Sequence, residues 1–183
     1  MSQRSDARRN RARILTAAEE IFAAESVAVP LQQVAERAQV GRGTLYRHFP
    51  DRHSLVAAVY EERLVAFEAL AAEHSDDPGV LLTLVREITA EQARIPGLFR
   101  LIFTEGPGHA ELAPLWERSL ALLTRPLESS RAAGVVRADL TLDDLLMIIG
   151  MVYGVVTGPI GRADAAAVAR ATDLVVDGLR PRP

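Results

Sequence analysis

The sequence predicts an all-α protein: an N-terminal three-helix head containing a helix-turn-helix, a long connecting helix, and a helical body. Three observations carry that expectation. Apolar residues recur at i, i+3, i+4 and i+7 through most of the chain, the spacing of one buried helical face. Gly and Pro cluster between those stretches, at Pro30, Gly41, Pro50, residues 75–79, Pro96 and residues 106–108. Residues 31–55 compress two short amphipathic segments, a tight turn and the start of a third helix into one corner. At 183 residues, 49% of them hydrophobic, the chain can bury a substantial core. We expect a division into residues 1–55 and 56–183.

Residues 1–7 are expected to form a disordered arm, followed by a first helix over 8–24 with Ile14, Ala17, Ala18, Ile21 and Phe22 as its apolar stripe. Arg4, Arg8, Arg9, Arg11 and Arg13 crowd its beginning, where positive charge opposes the helix dipole. Phosphate contact, entry of the arm into a minor groove, and a solvated basic tail all account for such a cluster. Residues 25–30 read as a loop. Pro30 suits the first turn of the next helix, whose inner face is Leu31, Val34, Ala35 and Ala38. Val40-Gly41 is expected to break that helix, with Gly41 taking the exit conformation. A third short helix then spans 42–49, with Leu45 and Phe49 four apart and facing inward. Arg42, Gly43, Thr44, Tyr46, Arg47 and His48 are left pointing mostly outward. A basic and polar face on a rigid two-helix corner is what a major-groove reader requires.

The run Val40-Gly41-Arg42-Gly43-Thr44-Leu45-Tyr46-Arg47-His48-Phe49-Pro50-Asp51-Arg52, with Val34-Ala35 ahead and Leu55 behind, resembles the signature of TetR-family transcriptional regulators. The core Gly-x-Gly-Thr-Leu-Tyr-x-His-Phe followed by a basic residue is specific, and by motif the resemblance covers the first third of the chain. It implies DNA contact for the arginine cluster as a whole and a phosphate anchor at Arg52. The family often carries Gly near Ser26, which this chain does not. Within the third helix, geometry makes Arg47 the best candidate for a bidentate guanine contact, worth roughly 1–3 kcal/mol of discrimination. Arg42 can reach a guanine edge or a phosphate, Gly43 permits close backbone approach, and Thr44 can touch a thymine methyl or a phosphate. Tyr46 and His48 read as phosphate contacts that also brace the corner. Gln32 opens the preceding helix where an amide can hold a phosphate; Gln33 reads equally well as a solvated residue.

Charge distribution agrees. The net charge is −3, but residues 1–55 hold nine Arg against six carboxylates, a net +3, and the remainder twelve against eighteen, a net −6. A basic head on an acidic body orients toward a polyanion. With no Cys there is no disulfide framework and no thiolate metal site. No cofactor and no metal are predicted, and His53 and His74 read as surface residues. G-x-S-x-G and H-E-x-x-H are both missing, so an enzyme is not expected. No signal peptide or membrane span is apparent, which agrees with a cytoplasmic protein.

Asp51 is a candidate N-cap for the long helix over 54–73, with Leu55, Val59, Leu64, Phe67 and Leu70 inward. Helices follow over 80–95, 96–104 and 110–133, the last kinked or split by Pro126. Phe67, Phe99, Phe103, Trp116, Met147, Met151 and Tyr153 could line a cavity for an unidentified small-molecule effector; packed core explains the same residues. The segment 145–156 is apolar on every side, and Gly150, Gly154 and Gly158 recur along it. With the last helix over 164–179, it presents more apolar surface than one subunit can cover. The resemblance implies a homodimer paired through these two helices, bound to a palindromic double-stranded DNA operator and released by its effector.

Overall fold

The computed structural model describes residues 2–157 and 165–181. The described chain is helical throughout: α1 (Ser2–Ala24), α2 (Leu31–Arg37), α3 (Arg42–His48), α4 (Arg52–Glu73), α5 (Val80–Arg94), α6 (Pro96–Glu105), α7 (Ala113–Ala132), α8 (Leu142–Thr157) and α9 (Ala165–Leu179), with a 3₁₀ turn over Gly106–Gly108. Gly158 of the expected glycine strip lies outside the described residues.

In the head, α1 packs on α2, α3 and α4. Ile14, Ala18, Phe22, Val34, Leu45 and Leu55 are buried almost completely. The expected disordered arm is instead helix: α1 begins at Ser2. An Asp6–Arg9 ion pair one turn apart, 3.4 Å long, lies on this added stretch, and the acid near the N-terminus offsets the arginines that follow. Residues 25–30 hold their turn without glycine, because the Ser26 hydroxyl accepts the Ala28 amide at 3.1 Å and its carbonyl accepts Val29.

Helix α4 runs unbroken across residue 55, so head and body share it. Asp51 caps it with a reciprocal pair: the Ser54 amide donates to Asp51 Oδ1 at 2.8 Å, and the Asp51 amide to Ser54 Oγ at 3.2 Å. The Ser54 amide holds the Asp51 carboxyl below its ordinary range. Helix α5 lies at the centre of the body, touching α4, α6, α7, α8 and α9. Its Leu81, Leu84 and Val85 are fully buried.

Head and body also meet away from the shared helix. Arg63 of α4 reaches Glu19 of α1 and, at 3.5 Å, Glu91 of α5. At the start of α6, a Cβ on Gly97 would sit 2.5 Å from Val27 Cγ2, so only glycine lets α6 approach the head loop this closely.

Helix α7 passes through Pro126 rather than splitting. The proline removes the amide that would bond the Leu122 carbonyl, and burial of its ring offsets that loss. Along α8 and α9 the expected excess of apolar surface is present: Met147, Met151, Val155 and Leu174 are 59, 57, 43 and 57% exposed.

Candidate nucleic-acid interface

The α2–α3 corner is built from its buried side. Leu45 and Phe49 insert beneath α3 against Val34, Ala35 and Ala38 of the α2 segment, and all five are buried. The turn between the helices departs from expectation. Gly41 is extended, at φ −66° and ψ 147°, and its carbonyl starts α3 by accepting the amides of Thr44 and Leu45. The left-handed position falls on Gln39, at φ 53°. Its carbonyl and side-chain oxygens both accept from the Arg13 guanidinium, at 3.1 and 3.3 Å. Helices commonly end on a left-handed residue, usually glycine, and here an arginine from α1 holds a non-glycine residue in that conformation after Arg37.

On the outward side, Arg42, Gly43, Tyr46 and Arg47 are exposed, and Thr44 and His48 are half-buried. The Arg42 guanidinium lies over the Tyr46 ring, 5.5 Å from its centre, which orders both before any ligand arrives. Arg11 of α1 lies likewise over the Phe49 ring at 5.5 Å. Arg47 has no partner among the described residues. A Cβ on Gly43 would meet nothing within 4 Å, so nothing within the chain demands glycine there. Gln32 donates to Glu36 at 2.9 Å on the outer side of α2. Arg52 turns away from this face, its guanidinium donating to the Val27 carbonyl in the head loop.

In the body, the aromatic residues pack as two edge-to-face pairs, Tyr60 with Phe99 at 5.5 Å and Phe103 with Trp116 at 5.2 Å. Phe67 and Phe99 are buried; Phe103, Trp116 and Tyr153 are half-buried. Met147 and Met151 are not gathered with them. They stand exposed on the outside of α8, Met147 sharing a cleft with Leu174 of α9, because the inner face of α8 is taken by Leu145, Ile149 and Val152. The clefts between α4 and α7, between α5 and α9 and between α8 and α9 are lined by other residues, although Met147 edges the last.

Residues 14–59 match the family model for bacterial regulatory proteins of the tetR family, and residues 76–181 match the SbtR-like transcriptional regulator C-terminal domain. A TetR transcription regulatory protein from Mycobacterium vanbaalenii is 34% identical, covers 97% of this chain and 98% of its own, and superposes with a TM-score of 0.62. The chain belongs to the TetR family of bacterial transcriptional regulators. The transcriptional repressor KstR of Rhodococcus jostii is 32% identical over 136 residues, which is 65% of this chain and 62% of KstR. This TetR-family chain thus aligns with less than two thirds of that relative's length. FadR of Bacillus subtilis, solved with stearoyl-CoA, shares the fold at 17% identity, covering 92% of this chain and 99% of its own with a TM-score of 0.65. TetR-family membership is that of regulators, not enzymes. Among the described residues, no helix is long and apolar enough to cross a membrane.

Of the residues singled out in sequence, Arg42, Gly43, Thr44, Tyr46, Arg47 and His48 share one short helix, with Gln32 on its neighbour; Arg52 serves a bond inside the head. Sequence reasoning missed the buried polar residues. Gln92 of α5 is 2% exposed and donates to the Ile149 carbonyl of α8 at 3.2 Å, while its own carbonyl oxygen has no partner. Thr172 of α9 donates to Thr89 of α5 at 3.0 Å. The signal was there: Leu81, Val85, Ile88, Gln92 and Ile95 fall at helical spacing, so Gln92 occupies an apolar stripe. His53 is the other revision. It is half-buried, still partly open to solvent, and it has a partner in Glu105 at 3.0 Å.

Proposed function

We propose that this TetR-family chain is a homodimeric, sequence-specific DNA-binding regulator that a small molecule releases from a palindromic operator. The observation that carries the reading is the α2–α3 corner: a buried Leu45–Phe49 anchor with Arg42, Gly43, Thr44, Tyr46 and Arg47 on its outer face. Residues 1–55 act as the DNA-binding unit and 56–183 as the ligand-binding and dimerisation unit. Arg47 reads a base edge, Arg42, Tyr46 and His48 hold phosphates, and Gln32 steadies the backbone from α2. Arg52 acts as a phosphate anchor only if it leaves the Val27 carbonyl. Binding chromosomal DNA places the protein in the cytoplasm.

The dimer forms through α8 and α9. Met147, Met151 and Val155 of α8 and Leu174 of α9 are exposed apolar side chains, and Cβ atoms on Gly150, Gly154 and Gly178 would meet nothing within 4 Å, leaving room for a second copy. The twofold axis sets the half-sites about one helical turn, roughly 34–36 Å, or a multiple apart. For release, the effector must bind the DNA-incompetent form more tightly than the competent one. We place its site among Phe67, Phe99, Phe103, Trp116 and Tyr153; FadR of Bacillus subtilis, a neighbour in fold, was solved in complex with stearoyl-CoA. Gln92 of α5, with an unpaired buried acceptor, offers a donor-bearing ligand a polar anchor in the body.

Selection of bound fragments from a random DNA pool tests the reading. Recovery of a palindrome supports it, and retention of all sequences alike overturns it. Arg47→Ala is expected to relax preference at one base position per half-site, at a cost of roughly 1–3 kcal/mol. Equal weakening on every sequence assigns Arg47 to phosphate instead.

A further inference from the structure

We infer that His53 and His109 are positioning residues that set the DNA-binding head against the body, through a stacked and proton-dependent joint. The inference rests on the DNA-binding reading above. His53 stands in the first turn of α4, three residues beyond the end of the recognition corner at Pro50. Its Nε2 lies 3.0 Å from Glu105 Oε2, at the last residue of α6. Its ring stacks on His109, just past the 3₁₀ turn, with centroids 4.0 Å apart and planes 24° apart.

Each end of this joint is tied to one side of the molecule. On the head side, Asp51 caps α4 and Arg52 holds the Val27 carbonyl of the head loop. On the body side, the turn between Glu105 and His109 is pressed onto α7: a Cβ on Gly106 would sit 3.2 Å from Trp116 Cβ. Trp116 meets Phe103 edge-on. Displacing that aromatic pair moves Gly106, and with it Glu105 and His109, both of which touch His53. A contact at the start of α4 therefore transmits a change in the body to the helix that directly follows the recognition corner.

The joint also has a proton dependence that a plain apolar contact lacks. Two imidazoles stacked at 4.0 Å repel each other when both are charged. His109 Nδ1 is buried without a partner, so no acceptor waits for a proton there. The carboxylates facing the pair are Glu105 from α6 and the Asp51 cap from the start of α4. Arg52 adjoins it with its guanidinium committed to Val27. His48, Glu111, Glu61, Arg118 and Arg11 line the neighbouring cleft, together with Ser54. One proton on the pair strengthens the bond to Glu105; a second forces the rings apart and frees the head.

Trp116 is the chain's only tryptophan, so its emission reports on the turn without reference to DNA. The full-length protein is titrated through the imidazole range, about pH 8 to 5. Trp116 emission is read alongside affinity for a duplex recovered from the random pool. The expected result is a transition in both, with DNA binding changing about 5-fold or more across the window. In His53→Gln and in His109→Phe, the latter keeping a ring for the stack, the Trp116 transition disappears and the DNA transition shrinks to the part that His48, placed at the phosphates, contributes. A Trp116 transition that is missing in the natural sequence, or that survives in both variants, overturns the joint. A DNA profile whose pH dependence is undiminished in both variants overturns the positioning role. If no duplex is retained at any pH, the DNA-binding reading falls, while the emission still decides the joint.

Discussion

Gln39 shows how one residue sets the recognition corner. A side chain beyond Cβ at φ 53° carries a steric cost that glycine does not, on the order of 1 kcal/mol. The chain tolerates it with two hydrogen bonds from Arg13. Gln39→Gly is therefore expected to raise stability by about 0.5–1 kcal/mol, seen as a higher midpoint in urea unfolding, with DNA affinity unchanged. A lower midpoint would mean that the bond from Arg13 to the Gln39 side chain outweighs the backbone strain. Gly43 is the converse case. Its helical conformation and open surroundings leave alanine free to fit, and alanine's helix propensity favours it by up to about 1 kcal/mol. Gly43→Ala should thus fold at least as well as the natural sequence while losing about tenfold in DNA affinity, a cost of about 1.4 kcal/mol from a methyl placed against the duplex. Unchanged affinity would remove Gly43 from the interface.

Between elements, buried polar contacts decide how the helices are held. The Tyr60 hydroxyl of α4 lies 2.8 Å from Ser119 Oγ of α7, and Ser119 in turn donates to the Leu115 carbonyl. Burial pushes the Tyr60 phenol up to about 12, opposed by the Ser119 bond. In the unfolded chain a tyrosine ionises near 10. The contribution of Tyr60 is accordingly whole below about pH 10 and lost as pH rises toward 12, since only the unfolded form ionises in that window. Tyr60→Phe should cost about 0.5–1.5 kcal/mol at neutral pH and flatten the alkaline fall in thermal midpoint. An alkaline profile identical to that of the natural sequence would place the sensitivity elsewhere. Pro126 belongs to the same scale: read alone it interrupts a helix, but in a buried stretch of α7 packing outweighs the missing bond.

At the scale of the whole molecule, the exposed patch on α8 and α9 argues for a second copy. Fully burying four such side chains is worth about 1.5–3 kcal/mol each, which one subunit forgoes. Met151→Glu and Leu174→Glu should each shift the sedimenting species to monomer, leave helical content by circular dichroism intact, and weaken binding to a two-half-site duplex far more than to a single half-site. A dimer that survives both changes would move the interface elsewhere. The sequence by itself determined the helical architecture, the buried anchor of the recognition corner, the Asp51 cap and the surplus apolar face, because each is written in spacing within one helix or one turn. Only the tertiary structure decided where the left-handed residue falls, that Arg52 serves the head loop, that Met147 and Met151 leave the aromatic cluster, and that His53 meets Glu105 and His109. Those outcomes join residues far apart in the chain, and periodicity along one helix records which face is buried but not which partner buries it.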